Sequence, residues 1–467
     1  MHREMIHWAQ TELGRAQLGD ARRTQRLVQL AAQRAAQPNA CLSQACGSAA
    51  ATKAAYRFYA NEAIDSDQIL ASHRQATQQR LEQAQEQVVL AVQDTTQLDY
   101  TAHPATTGLG VLNDEAHQGL LMHTTLAVTP QRVPLGILDQ QVWTRSAADL
   151  GKRHERKHRS IQEKESQKWL TSLESTATLQ AQLPQTRLVS VGDREADVYD
   201  LFLQAQARHQ DVLVRAAWDR CVAHPEGHLW AYLHSQPIAG TLTITVPRKP
   251  GQAARRAILT IRYARVTLHP PQHRAQEGLE PVSLWAVFAS EEHPPTGVEA
   301  VSWLLLTTVA VETLAEACER VQWYSGRWLV EVYHKVLKSG CRVEERQLEE
   351  AERLRRYLAL DSVVAWRVLY LTMVGRELPE LPCTALLAAQ EWQALYCFIH
   401  RTNRPPARPP TLRQVVRWIA QLGGFLGRKR DGHPGVTVLW RGLQRLHDLT
   451  VAWQLFRSLP SGVVGND

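Results

Sequence analysis

Within the stretch from Trp323 to Gln347, WYSGRWLVEVYHKVLKSGCRVEERQ, one carboxylate stands among two cations and a phenol. At about 100° per residue, Tyr324, Arg327, Glu331 and Lys338 fall inside one helical arc of about 60°. Val321, Trp328, Leu329, Val332 and Val336 fill the neighbouring arc, so the spacing predicts a helix with one packed flank and one charged flank. Such a charged flank suits a phosphodiester held near a metal. Two more carboxylates follow short apolar runs. Asp94 comes after Val88-Val-Leu-Ala-Val92, and Asp193 after Leu188-Val-Ser-Val-Gly192. Either aspartate alone is as well explained as a turn or cap residue. Three carboxylates converging from two strand ends and a helix repel one another unless a cation neutralises them. Oxygen donors without His or Cys neighbours favour Mg2+ or Mn2+ over zinc. Two such ions, about 3.5–4 Å apart, activate a water or a 3′-OH and stabilise the leaving oxygen at phosphorus.

The elements that must position these groups follow from pattern. Strand-like runs at Val88–Val92, Leu120–Val128, Val133–Trp143, Leu188–Gly192 and Val212–Arg215 alternate with helical stretches at about 146–183 and 196–207. The order βββαβαβ predicts a mixed sheet with helices on its faces, and sites form at the carboxyl ends of such strands. Pro- and Gly-rich breakers and β-like runs over 219–300 read as an inserted β-subdomain. The core resumes at Trp303-Leu-Leu-Leu306, and helices continue through Val374. Before the sheet, residues 1–67 read as a helical basic unit. Asp20 caps a helix from Ala21 to Ala36, and Gly47–Phe58 forms another. Arg22, Arg23, Arg26, Lys53 and Arg57 are either a solvated face or phosphate contacts of a small DNA-reading unit. After the sheet, residues 376–467 carry two helices at about 412–422 and 438–459. Their apolar residues could close a monomer core or a dimer.

Length and composition narrow the class. A chain of 467 residues exceeds one ordinary core, and its 53 Lys plus Arg against 46 Asp plus Glu give a net charge of +7. That balance favours a polyanion such as DNA, though weakly. Seven scattered cysteines, none spaced as CxxC, argue against a disulfide framework and a structural zinc site. No apolar run approaches the roughly 18 residues of a membrane span. A cytoplasmic protein is the expectation.

Asp94 in VQDTTQLDY, Asp193 in VSVGDREADVY and Glu331 in the Tyr324-x2-Arg327-x3-Glu331-x6-Lys338 spacing resemble the DDE cut-and-paste transposases of bacterial insertion sequences. The group is the insertion sequence 4 family, and the likeness is to the transposon-five-type enzymes. LGDARRTQRLV and AAYRF near the N-terminus, the Trp303-Leu-Leu-Leu run and the GGF–KR run near the C-terminus share the resemblance, which covers nearly the whole chain.

The resemblance implies an RNase H-like α/β catalytic domain over 68–375, with 219–300 inserted, between a DNA-binding domain over 1–67 and a dimerisation domain over 376–467. It implies that Asp94, Asp193 and Glu331 hold two Mg2+, with Mn2+ as a substitute. A water would nick the transposon end, the freed 3′-OH would form a hairpin, a second water would open it, and the 3′-OH would join target DNA. Tyr324, Arg327 and Lys338 would grip the hairpin, and Trp303, a core residue by its neighbours alone, would stack on a flipped base. Arg215 would lie near the active site, and Arg22, Arg23, Arg26, Lys53 and Arg57 would bind the terminal inverted repeats. Two subunits would act together on double-stranded DNA, in the bacterial cytoplasm at the nucleoid, with no membrane involved. From the residues themselves, Trp323 and Trp328 are expected in the core and His123 in a structural or supporting position. His334, about 50° off the stripe's centre, is a candidate DNA contact. A non-catalytic DNA-binding derivative and a nuclease that cuts without joining are the competing readings. The intact carboxylates count against the first and the long terminal parts against the second.

Overall fold

A computed structural model describes residues 3–149, 161–246, 254–429 and 431–458. The N-terminal unit is built from α1 (Arg3–Leu13), α2 (Ala21–Ala36), α3 (Leu42–Cys46) and α4 (Ala49–Tyr59), and α5 (Ser66–Ala84) leads into the sheet. The expected cap forms, with Asp20 accepting from Arg22 N at the start of α2, and Ser48 likewise accepts from Ala51 N at the start of α4, a cap not anticipated from the sequence.

The sheet follows as β1 (Val88–Asp99), β2 (Gly110–Val111), β3 (Gln118–Val128), β4 (Pro134–Trp143), then α6 (Gln167–Gln180), β5 (Arg187–Gly192), α7 (Tyr199–Ala207) and β6 (Asp211–Arg215). After α8 (Leu229–Ser235) come β7 (Gly240–Val246), β8 (Arg255–Leu268), β9 (Val282–Ser290) and β10 (Ser302–Thr307). The ten strands form one mixed sheet in the order β2-β3-β1-β5-β6-β10-β9-β8-β7, with β4 on β3. Parallel β1, β5 and β6 lie at its centre, as crossovers through α6 and α7 require. With helices on the faces and helical units at both ends, the architecture is consistent with an RNase H-like core.

Several elements depart from the sequence expectation. The strands of the 219–300 segment prolong the sheet beyond β10 instead of standing apart, because β9 pairs with both β10 and β8. The helix expected over 146–183 is shorter: among the described residues only Gln167–Gln180 is α-helical, and 150–160 lies outside them. The breakers at 247–251 also lie outside the described residues. β1 does not stop at Asp94, since it pairs with β3 as far as Asp99.

Beyond the sheet run α9 (Leu314–Gly326), α10 (Leu329–Lys335), a π-turn at Val336–Gly340, α11 (Ala351–Glu377), α12 (Ala389–His400), α13 (Leu412–Leu422) and α14 (Val436–Ser458). By length and composition α11 could cross a membrane, but 94% of its apolar window is buried inside the protein. It is the central core helix. Its Asp361 receives the buried Arg34 of α2, and its Trp366 donates to Pro134 O at 2.8 Å.

Candidate active site

Strand register brings the two aspartates together. On the parallel ladder Val92 lies opposite Val191, where the β1–β5 pairing ends. Asp94 and Asp193 are each two residues further along, hence level with one another and on one face of strands roughly 4.8 Å apart. Asp94 therefore stands at the end of the parallel ladder, though inside a longer strand. Asp193 leaves β5 and accepts from Glu195 N at 2.9 Å, starting a short 3-10 turn.

The charged stripe does not lie on one helix. α9 ends at Gly326, a residue poor in helix propensity. The chain then turns through i→i−3 bonds, Arg327 N to Tyr324 O at 3.0 Å and Val330 N to Arg327 O at 3.1 Å. After α10 a second irregularity follows, with Cys341 N bonded to Val336 O at 2.8 Å across a π-turn. The four residues consequently reach different partners. Tyr324 packs edge-on against Trp303 at 5.2 Å between ring centroids, with Arg215 in hydrogen-bonding reach of its hydroxyl. Arg215 also donates to Ser302 O at 2.9 Å. Arg327 bonds Glu331 at 2.5 Å and lies 3.6 Å from Asp94. Lys338 donates to Gln97 O at 2.9 Å and pairs with Glu344 at 3.0 Å.

Electrostatics tie the carboxylates into one cluster. The Asp94 carboxyl is pushed up to about 6, mainly by burial, with the Arg327 guanidinium opposing and the charges of Asp193 and Glu331 adding to the rise. Arg327 is thus the local counter-charge, yet its Nη1 is buried without a hydrogen-bond partner. Among the described residues no three His, Cys, Asp or Glu side chains approach closely enough to hold a metal together. Arg327 lies between Asp94 and Glu331, where positive charge is needed. The donor set itself, oxygen-only and short of positive charge, fits Mg2+ or Mn2+.

Two expectations are corrected here. Trp328 is 37% exposed, because it lies in the turn between helices, whereas Trp323 is buried under Arg320. His334 is buried, not placed to meet DNA directly: its Nδ1 lies 3.8 Å from Asp94 and its Nε2 3.4 Å from Thr124 Oγ1. Burial, with Lys338 and Arg327 nearby, lowers this imidazole to about 3. His123 is supporting, as expected, between Thr95 at 2.9 Å and Gln93 at 3.3 Å. Sequence reasoning missed Asp197 of the GDREAD run as an anchor. Its buried carboxylate holds Arg220 at 2.6 Å and the backbone of Ala217 and Trp218. The signal available was the second aspartate of that run, four residues after Asp193.

On the N-terminal unit, Lys53 and Arg57 are exposed one turn apart on α4, and Arg22 is exposed at the start of α2. Arg23 is partly engaged, donating to Leu18 O at 2.9 Å, and Arg26 is half-buried.

The mixed sheet, with two aspartates at the carboxyl end of its central parallel ladder and helical units on either side in sequence, is consistent with an RNase H-like core. Two family models match the chain: transposase DNA-binding over residues 5–64, and the transposase Tn5 dimerisation domain over residues 363–459. Both matches indicate a Tn5-type transposase, and the insertion sequence 4 family is consistent with them. It is a DNA-binding protein that dimerises, and its family carries phosphodiester cleavage and transfer chemistry.

Proposed function

We propose that Asp94, Asp193 and Glu331 are the catalytic carboxylates of a cut-and-paste transposase that frees its element through a hairpin and joins it to target DNA. The observation that carries this reading is the Asp94 carboxyl held up to about 6 among Asp193, Glu331 and Arg327. A buried carboxylate so short of compensation is a frequent mark of a functional site. Asp94, Asp193 and Glu331 would hold two Mg2+, or Mn2+, which when bound supply an activated water or 3′-OH and a stabilised leaving oxygen.

The remaining work falls to the chain's own groups. Nicking, hairpin formation, hairpin opening and strand transfer are all in-line displacements at phosphorus, so one site serves each in turn. A hairpin needs a sharp backbone turn, which an extruded base relieves. Trp303, braced by Tyr324, offers the stacking surface, and Arg327 and Lys338 offer charge-assisted bonds to phosphates. Arg215, bonded to the Ser302 carbonyl, orients the Tyr324 hydroxyl. Arg22, Arg23, Arg26, Lys53 and Arg57 would hold the terminal repeats, which places the protein on bacterial cytoplasmic DNA. The domain limits 1–67, 68–375 and 376–467 follow from the same reading.

The test is a Mg2+-started cleavage assay on the inverted repeats flanking the gene, resolved on a denaturing gel. Nicked and then hairpin products are expected. Asp94→Ala, Asp193→Ala and Glu331→Ala should each abolish both while retaining DNA binding. Undiminished cleavage by any one of them refutes the assignment.

A further inference from the structure

An exposed tryptophan stands on a hydrogen-bonded turn just past the strand end level with Asp193, on the side of the sheet away from Trp303 and Tyr324. Trp218 is 64% exposed and has no ring or cation partner among the described residues. Of the other exposed aromatics, Tyr56, Phe398 and Phe456 lie inside the regions matched to DNA binding and dimerisation, and Trp328, less exposed at 37%, lies in the turn after α9. Trp218 lies in neither region.

The segment that carries it is fixed at each residue. Ala217 N and Trp218 N both donate to Asp197 Oδ2, at 2.7 and 3.0 Å. Asp219 Oδ1 accepts from Trp230 N at 2.9 Å. Arg220 donates to Asp197 Oδ1 through Nε and Nη2 at 2.9 and 2.6 Å, and its Nη2 reaches Asp197 O at 2.8 Å. The Asp197 side chain is wholly buried, so the clamp is shielded from solvent. The amides of Ala217 and Trp218 and the side chains of Asp219 and Arg220 are engaged while the large apolar ring is left to water. With its backbone fixed, the residue has only side-chain freedom left to lose on stacking, which lowers the cost of a contact.

Its position follows from the sheet. Gly192 of β5 lies opposite Val214 of β6, so Asp193 is level with Arg215, three residues before Trp218. Leu213 and Leu305 share the core on the face that holds Tyr324. Val214, Leu304, Tyr199 and Phe202 share the core on the other face, and Arg220 lies over Tyr199 and Phe202. Asp193 therefore has the end-gripping pair Trp303 and Tyr324 on one flank and the Trp218 turn on the other. Arg194, exposed and without an ion-pair partner among the described residues, adds positive charge there.

We infer that Trp218 is a stacking platform for a base of the target DNA strand, and so a specificity-determining residue of strand transfer. This rests on the reading of Asp94, Asp193 and Glu331 as catalytic. In an in-line displacement the attacking and leaving oxygens lie on opposite sides of phosphorus. With the transposon end held on the Tyr324 flank, the strand under attack comes from the opposite one. Every base offers a π-face, so stacking tolerates sequence while biasing it.

The experiment uses the full chain, end duplexes from the repeats flanking its gene, and a supercoiled plasmid as target. Nicking, strand transfer, end binding and the insertion-site sequences are measured for wild type, Trp218→Ala and Trp218→Phe. Stacking on one aromatic ring corresponds to roughly 5- to 150-fold. Trp218→Ala is expected to lower the ratio of strand transfer to nicking by that factor and to alter base preference at insertion sites. Trp218→Phe, which keeps a ring, should stay within about 3-fold of wild type. A Trp218→Ala ratio equal to wild type overturns the platform. So does a proportionate loss of end binding, nicking and transfer, which marks a structural residue. Wild-type protein that nicks nothing with Mg2+ or Mn2+ overturns the catalytic reading instead.

Discussion

Replacing Asp361 by Asn should unseat the DNA-binding unit from the core. Arg34 of α2 is wholly buried and donates to Asp361 through Nε at 3.1 Å and Nη2 at 2.9 Å. The same guanidinium holds Ala40 O at 2.6 Å and Pro38 O at 2.7 Å. Asn keeps the volume but leaves a buried cation without its counter-charge, at a cost of about 3–5 kcal/mol. With an unfolding entropy of about 2.1 cal/mol/K per residue, the 467-residue chain has about 1 kcal/mol/K. If the chain melts as one unit, Asp361→Asn should lower Tm by about 3–5 °C. The double replacement Arg34→Met with Asp361→Leu removes both charges and should recover most of that loss. About 1–2 kcal/mol remains for the abandoned Ala40 and Pro38 carbonyls. Differential scanning fluorimetry with the full double-mutant cycle measures both terms. An Asp361→Asn Tm within about 1 °C of wild type refutes the argument. A double variant less stable than Asp361→Asn refutes it too, since no apolar substitute would then serve.

Acidification should loosen the junction of α1 and α5. Burial alone would raise the Glu12 carboxyl from its ordinary 4.5, but His73 and Arg80 against it hold it lower. Burial pushes the His73 imidazole below 6.5. The unfolded chain therefore takes up protons first at both groups, so stability is lost as pH falls below about 6.5 for His73 and about 4.5 for Glu12. Tm between pH 7 and pH 4 should fall, and Glu12→Gln should flatten the lower part of that curve. In the dimerisation region, a Cβ on Gly442 of α14 would stand 1.8 Å from the Ile419 carbonyl of α13. Gly442→Ala should force these helices apart at about 1–3 kcal/mol. Sedimentation should show weakened self-association while binding of end DNA is kept.

Periodicity made most of the frame legible. The apolar runs of β3, β4, β5 and β6, the cap Asp20 and the helix Leu412–Leu422 lie where pattern places them. The carboxylate pair was legible because Asp94 and Asp193 each follow an apolar strand run. What was not legible depends on partners distant in sequence. β1 runs past Asp94 through polar Thr95, Thr96 and Gln97 because β3 offers it a ladder, which no local pattern announces. Trp328 reads as core by spacing but is exposed, because spacing assumes an unbroken helix. His334 reads as a free polar residue, and only the approach of β1 buries it beside Asp94.

The breaks in the Trp323 stretch turn a stripe into a rail. On an unbroken helix the four polar groups would line one face along roughly 20 Å. With the turn after Gly326 and the π-turn at Val336–Gly340, they separate along β1 and its neighbours. Tyr324 goes to Trp303 and Arg215, Arg327 and Glu331 to Asp94, and Lys338 to the carbonyl of Gln97. Gln97 lies three residues beyond Asp94 on β1. At about 3.3 Å per residue this is roughly 10 Å, the axial rise of about three nucleotides at 3.4 Å each. A DNA strand whose scissile phosphate lies at Asp94 would thus reach Lys338 some three nucleotides away. Its cation, already drawn from solvent by Glu344, then sets register without crowding the reacting phosphorus.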